Sequence, residues 1–130
     1  MSYFTGVLGS DEELGWRLEN IVYLELLRRR EDDDAEIYYY KEQDCDIDFC
    51  LVRHGKIIQL IQVAYTIEGV KTRKRETASL FAAARKTGCE RLLIVTDHER
   101  ETITQGEKTI EIVPAREWLL KADEPATRRA

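Results

Sequence analysis

A carboxylate and an amide lie within two neighbouring segments that are otherwise rich in apolar residues. Asp48 belongs to the segment Asp46–Arg53, and Gln62 belongs to the segment Ile57–Tyr65. Burying a polar side chain costs several kcal/mol unless a partner satisfies it. A divalent cation is one such partner, and a hydrogen-bond network within the protein is the other. Only the first partner would give the domain a reactive centre.

A third oxygen-bearing side chain belongs to the first predicted helix. Glu19 follows Trp16 by three residues and precedes Tyr23 by four, which places it on the flank of the apolar stripe. Together with Asp48 and Gln62 it would supply hard oxygen donors suited to Mg²⁺ or Mn²⁺, with water completing the octahedron. Such a cation could activate water and stabilise negative charge developing on a phosphodiester. Main-chain hydrogen bonds are the alternative role for each of these side chains.

The hydrophobic pattern predicts an α/β domain that begins with a helix from about Asp11 to Arg30. The acidic run from Glu31 to Asp34 is expected to be a solvated connection. The buried stripe of the helix is expected to consist of apolar residues at helical spacing: Leu14, Leu18, Ile21, Val22 and Leu26.

Three strands are predicted after the helix, at Glu36–Glu42, Asp46–Arg53 and Ile57–Tyr65, with a hairpin turn at His54-Gly55-Lys56. The third strand is apolar on both faces, which is typical of a central strand.

Side-chain alternation predicts which way the two polar strand residues point. In the second strand, Asp48 should point away from the face that carries Ile47, Phe49 and Leu51. In the third strand, Gln62 should share a face with its neighbours two positions away, Leu60 and Ala64.

The rest of the chain predicts a second helix at about Val70 to Thr87, a buried strand at Glu90–Thr96, a small hairpin at 102–110 and a last helix opened by Pro114. These elements form one domain over residues 11–122. Residues 1–10 are expected to be a linker and residues 123–130 a disordered tail.

The order of elements and three short blocks resemble the restriction-endonuclease-like, PD-(D/E)XK nuclease superfamily. The blocks are Leu18-Glu19-Asn20, Ile47-Asp48-Phe49 and Ile61-Gln62-Val63. Within that superfamily, residues 11–120 are similar to the nuclease-like domain found at the C-terminus of archaeal and bacterial AAA-type ATPases. The resemblance implies an α-β-β-β-α-β core with a mixed central sheet flanked by helices, followed by a small hairpin and helix.

The same resemblance implies that Glu19, Asp48 and Gln62 are the catalytic residues and that they bind Mg²⁺. It also implies an accessory polar role for Glu76, about one turn into the second helix. The chain departs from the superfamily at Ala64, where the motif has a lysine. Losing one such electrostatic contact typically costs about 10²–10³ in rate.

The missing lysine leaves two functions open. A lysine from elsewhere could substitute for it, and the candidates are Lys41, Lys71 and Lys74. The domain would then be a Mg²⁺-dependent DNA nuclease. Without such a substitute, it would be an inactive nuclease-fold module that binds DNA or a partner protein and is attached to an ATPase domain. A homodimer is expected by resemblance alone.

A basic run on the second helix is the candidate nucleic-acid contact. Arg73, Lys74 and Arg75 suit phosphate groups, which supply most non-specific affinity for nucleic acids. The alternative is a solvated helix face, because Glu68 and Glu76 dilute the positive charge.

The composition of the chain argues against several other classes of protein. The chain has 130 residues, 20 Lys and Arg against 25 Asp and Glu, and three cysteines without CxxC spacing. These features argue against a generally basic nucleic-acid coat and against a disulfide or zinc framework. No P-loop motif is present, so no ATP binding of that kind is expected. The absence of a signal peptide or an apolar span predicts a cytoplasmic protein without a membrane segment.

Overall fold

A computed structural model describes residues 11–121, so the predicted linker 1–10 and the predicted tail 123–130 lie outside the described residues. The order α-β-β-β-α-β is confirmed, and a hairpin and a short helix follow it as expected. The elements are α1 Asp11–Asp33, β1 Glu36–Glu42, β2 Cys45–Arg53, β3 Lys56–Val63, α2 Val70–Thr87, β4 Leu92–Thr96, β5 Glu101–Gln105, β6 Lys108–Pro114 and α3 Ala115–Lys121.

All six strands form one mixed sheet in the order β1-β2-β3-β4-β6-β5. The pairs β3–β4 and β4–β6 are parallel, and the other three pairs are antiparallel. The central position predicted for the third strand is confirmed, because β3 lies between β2 and β4. The crossover from β3 to β4 contains α2, so the loop leaving β3 and the start of α2 meet at one end of the sheet.

Helices cover both faces of the sheet. Leu80 and Ala84 of α2 pack with Ile94 on one face. On the other face, α1 packs through Leu18, Val22 and Leu26, together with Trp118 of α3. The two separate apolar clusters explain why β3 and β4 are apolar on both sides.

The stripe predicted for α1 is narrower than expected. Leu18, Val22 and Leu26 are buried, whereas Ile21 is 46% exposed. Because the buried positions are four residues apart, only one narrow face of α1 touches the sheet. The prediction that Ile21 belongs to the core is therefore wrong.

The acidic run is also placed differently from the prediction. The helix continues to Asp33, and Asp34 ends it with a positive φ of 56°. Glu31 and Asp32 are exposed. Their charges are solvated on the surface of the helix, so solvation did not require a break in the helix.

The β2–β3 hairpin has the turn that the sequence predicted. His54 and Gly55 both have positive φ values, 53° and 74°, as a two-residue hairpin loop requires. The turn sets the pairing of Arg53 with Lys56, and a register shift between Leu51 and Val52 then brings Phe49 opposite Ile61. Within residues 11–121, no helix is long and apolar enough to cross a membrane.

Candidate active site

Asp48 lies at a β-bulge in β2. In the pairing of β1 with β2, the two residues Asp48 and Phe49 oppose the single residue Tyr39. The extra residue changes the phase of the strand. As a result, Ile47 packs under α2, whereas Phe49 and Leu51 pack under α1. The prediction that these three apolar residues share one face is wrong, because strict alternation does not pass through a bulge.

Gln62 bridges the two strands at the bulge. The side chain is 1% exposed. Its Oε1 accepts a hydrogen bond from the main-chain N–H of Asp48 at 2.9 Å, and its Nε2 donates to the main-chain oxygen of Asp46 at 3.0 Å. The amide therefore satisfies main-chain groups beside the point where the backbone ladder is interrupted. The metal-ligand role predicted for Gln62 would compete with a bond that its oxygen already makes.

The carboxylate of Asp48 points toward the end of β3. Its Oδ2 accepts a hydrogen bond from the main-chain N–H of Val63 at 2.8 Å. The pKa of Asp48 is raised to about 7, mainly by burial and also by the negative charges of Glu19, Glu76 and Asp46, whereas the hydrogen bond from Val63 lowers it. At neutral pH this carboxyl group is therefore near the midpoint of its titration.

Four carboxylates from three elements influence one another here, and we call them the carboxylate group: Glu19 of α1, Asp46 and Asp48 of β2, and Glu76 of α2. Burial and the charge of Asp46 raise the pKa of Glu19. Burial also raises the pKa of Glu76, with contributions from Asp46 and Glu19. The structure thus places Glu19, Asp46 and Glu76 near enough to Asp48 for their charges to raise its pKa, and the predicted catalytic and metal-binding roles of Glu19 and Asp48 stay predictions. The hydroxyl of Tyr39 donates a hydrogen bond to Oδ1 of Asp46, with 2.5 Å between the two oxygens.

The donor chemistry of the carboxylate group fits Mg²⁺, but only with most ligands supplied by water. Mg²⁺ is commonly bound through one or two carboxylates and keeps several waters. Across residues 11–121, no three His, Cys, Asp or Glu side chains lie close enough to hold one metal ion together. Glu19 and Asp48 are the candidates for a two-carboxylate arrangement, because Glu19 has the largest effect of the neighbouring charges on the pKa of Asp48.

A cleft of about 710 Å³ adjoins the carboxylate group at the end of β3, between the first turns of α1 and α2. Glu19, Glu76 and Ala64 all contribute to its wall. The remaining lining residues come from the same three segments: Glu12, Glu13, Gly15, Trp16, Val63, Tyr65, Thr66, Gly69, Thr72 and Arg75.

None of the lysines proposed to replace the motif lysine lines this cleft. Lys71 and Lys74 of α2 are not among its lining residues, and Lys41 lies on β1, opposite Asp46 in the strand pairing. The cation that does line the cleft is Arg75. Helical spacing in the sequence could not single out Arg75, because Lys71, four residues earlier, lies on the same side of α2 by the same spacing.

The three cations of the basic run on α2 differ in their contacts. Arg73 makes a two-pronged ion pair with Glu101 of β5, and Arg75 lies 3.3 Å from Glu76. Lys74 is exposed. Two of the three cations predicted to contact nucleic acid therefore face a carboxylate, and the predicted contact stays a prediction.

Glu99, which sequence reasoning missed, holds the loop between β3 and α2 in place. Its carboxylate accepts hydrogen bonds from the hydroxyl of Thr66 at 2.9 Å and from the main-chain N–H of Ile67 at 2.8 Å. Thr96 in turn bonds the main chain of Glu99 through both N–H and carbonyl groups. The wall of the cleft formed by Thr66 is thereby fixed to the end of β4.

Comparison with known proteins identifies the family. No solved structure matches the chain significantly. The chain is 32% identical over 119 residues to the "Uncharacterized protein MJ1544" of Methanocaldococcus jannaschii. The match covers 87% of the chain but 26% of that relative, so the chain spans about a quarter of the relative's length. Residues 14–118 match the family described as "Domain of unknown function (DUF4143)". The chain therefore belongs to the DUF4143 family.

Proposed function

We propose that this domain is a Mg²⁺-dependent nuclease that hydrolyses phosphodiester bonds in DNA, with Glu19 and Asp48 holding the cation. The observation that carries the proposal is the state of Asp48. Its half-buried carboxyl group lies at a β-bulge, where burial and the charges of three other carboxylates raise its pKa to about 7. Strongly perturbed carboxylates beside a cleft are typical of functional sites. The resemblance to PD-(D/E)XK nucleases supports the same assignment.

The electrostatics of the site favour a cation from outside the chain. Burial and mutual repulsion oppose the ionised forms of Asp48, Glu19 and Glu76, and the cation at the wall, Arg75, is 3.3 Å from Glu76. A divalent ion held by Glu19 and Asp48 would stabilise the ionised forms of these two residues. When bound, it would supply a nucleophilic water and neutralise charge on the phosphodiester.

This proposal gives each residue of the site a specific role. Glu19 and Asp48 would orient the cation, and the Val63 N–H fixes the carboxylate of Asp48. Gln62 keeps the bulge in shape through Asp46 and Asp48. Because Ala64 replaces the motif lysine, the reaction should be slow, by about 10²–10³ relative to a site with that contact.

Cleavage assays test the proposal directly. Plasmid, flap and single-stranded DNA would be incubated with the domain in Mg²⁺, in Mn²⁺ and in EDTA. We expect slow cleavage that needs the metal and that is lost in Asp48→Asn, which keeps the shape of the side chain and an acceptor for Val63. Leu24→Ala, an exposed residue of α1 away from the cleft, is the matched control. Equal inactivity of wild type and Asp48→Asn on all substrates would refute the nuclease assignment.

A second candidate function is favoured by two observations at the same site. Ala64 stands where a catalytic lysine is needed, and both ends of the Gln62 amide already bond main chain. On this alternative, the domain is an inactive nuclease-fold module that binds DNA or a partner protein and belongs to a longer chain with an ATPase domain. The length of the archaeal relative is compatible with additional domains.

The alternative makes a separate prediction about binding. DNA should bind in EDTA with affinity that falls as salt rises, because phosphate contacts release counterions. Replacing Arg73, Lys74 and Arg75 with Ala should weaken that binding. Salt-independent binding, or no binding, would leave partner-protein contacts as the module's role.

A further inference from the structure

The two edge strands of the sheet, β1 and β5, differ in how well they are protected against pairing with a further strand. An edge strand presents a row of unpaired main-chain N–H and C=O groups, and charged side chains and β-bulges are common protections against such pairing. β1 carries Glu36, Lys41 and Glu42, and the register of its pairing with β2 shifts between Tyr38 and Tyr40. The β1 edge is therefore both charged and irregular.

The β5 edge lacks these protections along its centre. Its central residues, Thr102, Ile103 and Thr104, are uncharged and β-branched, which favours an extended strand. β5 pairs with β6 without a shift in register. The charged residue of the strand, Glu101, is neutralised within the domain by its ion pair with Arg73 of α2. β5 is therefore a short, regular edge without an unpaired charge.

The hairpin turn between β5 and β6 decides which main-chain groups of β5 point outward. Gly106 has a φ of 64° and opens a two-residue turn, so Gln105, the residue before it, forms the first hydrogen-bonded pair with β6. Hydrogen-bonded and non-hydrogen-bonded pairs alternate along an antiparallel ladder. Ile103 therefore bonds β6, whereas the N–H and C=O groups of Thr102 and Thr104 point away from the sheet.

We infer that β5 is a dimerisation edge, which pairs in antiparallel orientation with β5 of a second copy of this chain. With a two-fold axis at Ile103, Thr102 of each copy lies opposite Thr104 of the other copy. These are the residues whose main-chain groups point outward, so each pair can exchange both of its N–H···O bonds. At the ends of the contact Glu101 lies opposite Gln105, so charges of like sign do not oppose each other.

β1 does not share this self-complementarity about its middle residue. A two-fold axis at Tyr39 would place Glu36 opposite Glu42 of the other copy, and like charges directly opposite each other are destabilising. In β5 the opposing side chains are threonine with threonine and isoleucine with isoleucine, and such pairs stabilise a sheet. Because the contact is one short strand, the dimer should dissociate at low concentration. The inference is independent of the proposed nuclease activity, since β5 does not line the cleft.

Sedimentation equilibrium of the full chain tests the inference with charges placed along the edge. Thr102 and Thr104 are exposed, so replacing both with lysine spares the pairing with β6 but sets lysines opposite each other in the dimer. We expect the dissociation constant of the dimer to rise by at least about tenfold. Replacing both with glutamate should have the same effect. An equimolar mixture of the two double variants should restore the dimer, because lysine then faces glutamate.

Tyr38→Lys is the matched control, because it adds the same charge to an exposed residue of the other edge strand and should leave the dimer unchanged. Circular dichroism would confirm that every variant is folded. A wild-type chain that stays monomeric up to about 1 mM would overturn the inference. A dimer that is weakened only by Tyr38→Lys, or a mixture of the folded lysine and glutamate variants that does not associate, would also overturn it.

Discussion

The cleft and a second concavity on this domain are both lined by charged residues, but the cleft has an excess of carboxylates and the second concavity has equal numbers of each sign. The second concavity, which we call the charged groove, has a volume of about 520 Å³ and lies among the second half of α1, the strands and α3. Four glutamates face one arginine in the cleft. In the groove, five cations face five anions: Arg28, Arg29, Arg53, Arg91 and Lys121 against Asp32, Asp33, Glu90, Glu111 and Glu117.

The difference is visible in the pKa values of the carboxylates. Beside the groove, hydrogen bonds from Arg28 and Arg29 lower the pKa of Glu25. Arg29 also lies 4.0 Å from the ring centre of Trp118 and donates to its main-chain oxygen. In the cleft, burial and like charges raise the pKa of Glu19 instead. Positive and negative side chains are equal in number around the groove, whereas carboxylates outnumber cations around the cleft, even though Glu76 pairs with Arg75 and Glu13 with Arg17.

The largest expected effect concerns the pH dependence set by Asp48. Its pKa is raised from 3.8 to about 7 on folding, so the folded state binds the proton more tightly than the unfolded chain. Its stability contribution is complete below pH about 4 and is lost as pH rises through about 7, by up to about 4 kcal/mol. Mg²⁺ should restore part of that loss at pH 8 by binding the folded state.

Urea denaturation at several pH values measures this effect, with Asp48→Asn as the matched variant that removes the charge and keeps the shape. We expect Asp48→Asn to be less sensitive to pH and to Mg²⁺ than wild type. If the free energies of unfolding of the two proteins changed with pH in parallel, the charge of Asp48 would have no effect on the stability of the fold.

A smaller effect is expected from the amide that supports the bulge. Gln62→Leu should destabilise the fold by about 2–3 kcal/mol, because it leaves the Asp48 N–H and the Asp46 carbonyl without their buried partner. Gln62→Glu keeps the acceptor but adds a carboxylate, so its cost should grow above neutral pH and shrink in Mg²⁺. Thermal unfolding of both variants at pH 5 and pH 8 provides the measurement. If Gln62→Leu were as stable as wild type, the bulge would not depend on this side chain.

The smallest effect on stability is expected from a substitution in the charged groove. Arg29→Met should cost about 1–2 kcal/mol, since it removes a cation–π contact and a main-chain hydrogen bond. Arg28→Met is the matched control, because Arg28 pairs with the same Glu25 but is 57% exposed, and such pairs contribute about 1 kcal/mol or less. Neither cost should change with Mg²⁺. A metal-dependent cost at Arg29 would contradict the contrast between the two surfaces.

The sequence predicted the order of elements because hydrophobic period and turn residues are local properties. The His54–Gly55 turn and the central position of β3 followed from residues adjacent in the chain. The carboxylates Glu19 and Asp48 were also predicted to meet, through a resemblance that carried long-range information. Ile21 was misplaced because its exposure depends on how α1 lies against the sheet.

Residue types and their spacing by themselves determined the strands, the helices and the presence of oxygen donors among apolar neighbours. Only the tertiary structure decided that β2 contains a bulge, that Gln62 is occupied by main chain, and that Glu76 and Arg75 reach the same cleft as Glu19. The physical reason is that a one-residue change in register reverses the side-chain phase of a strand. Likewise, the pKa of a carboxylate depends on charges brought near it by folding, which no local pattern of residues contains.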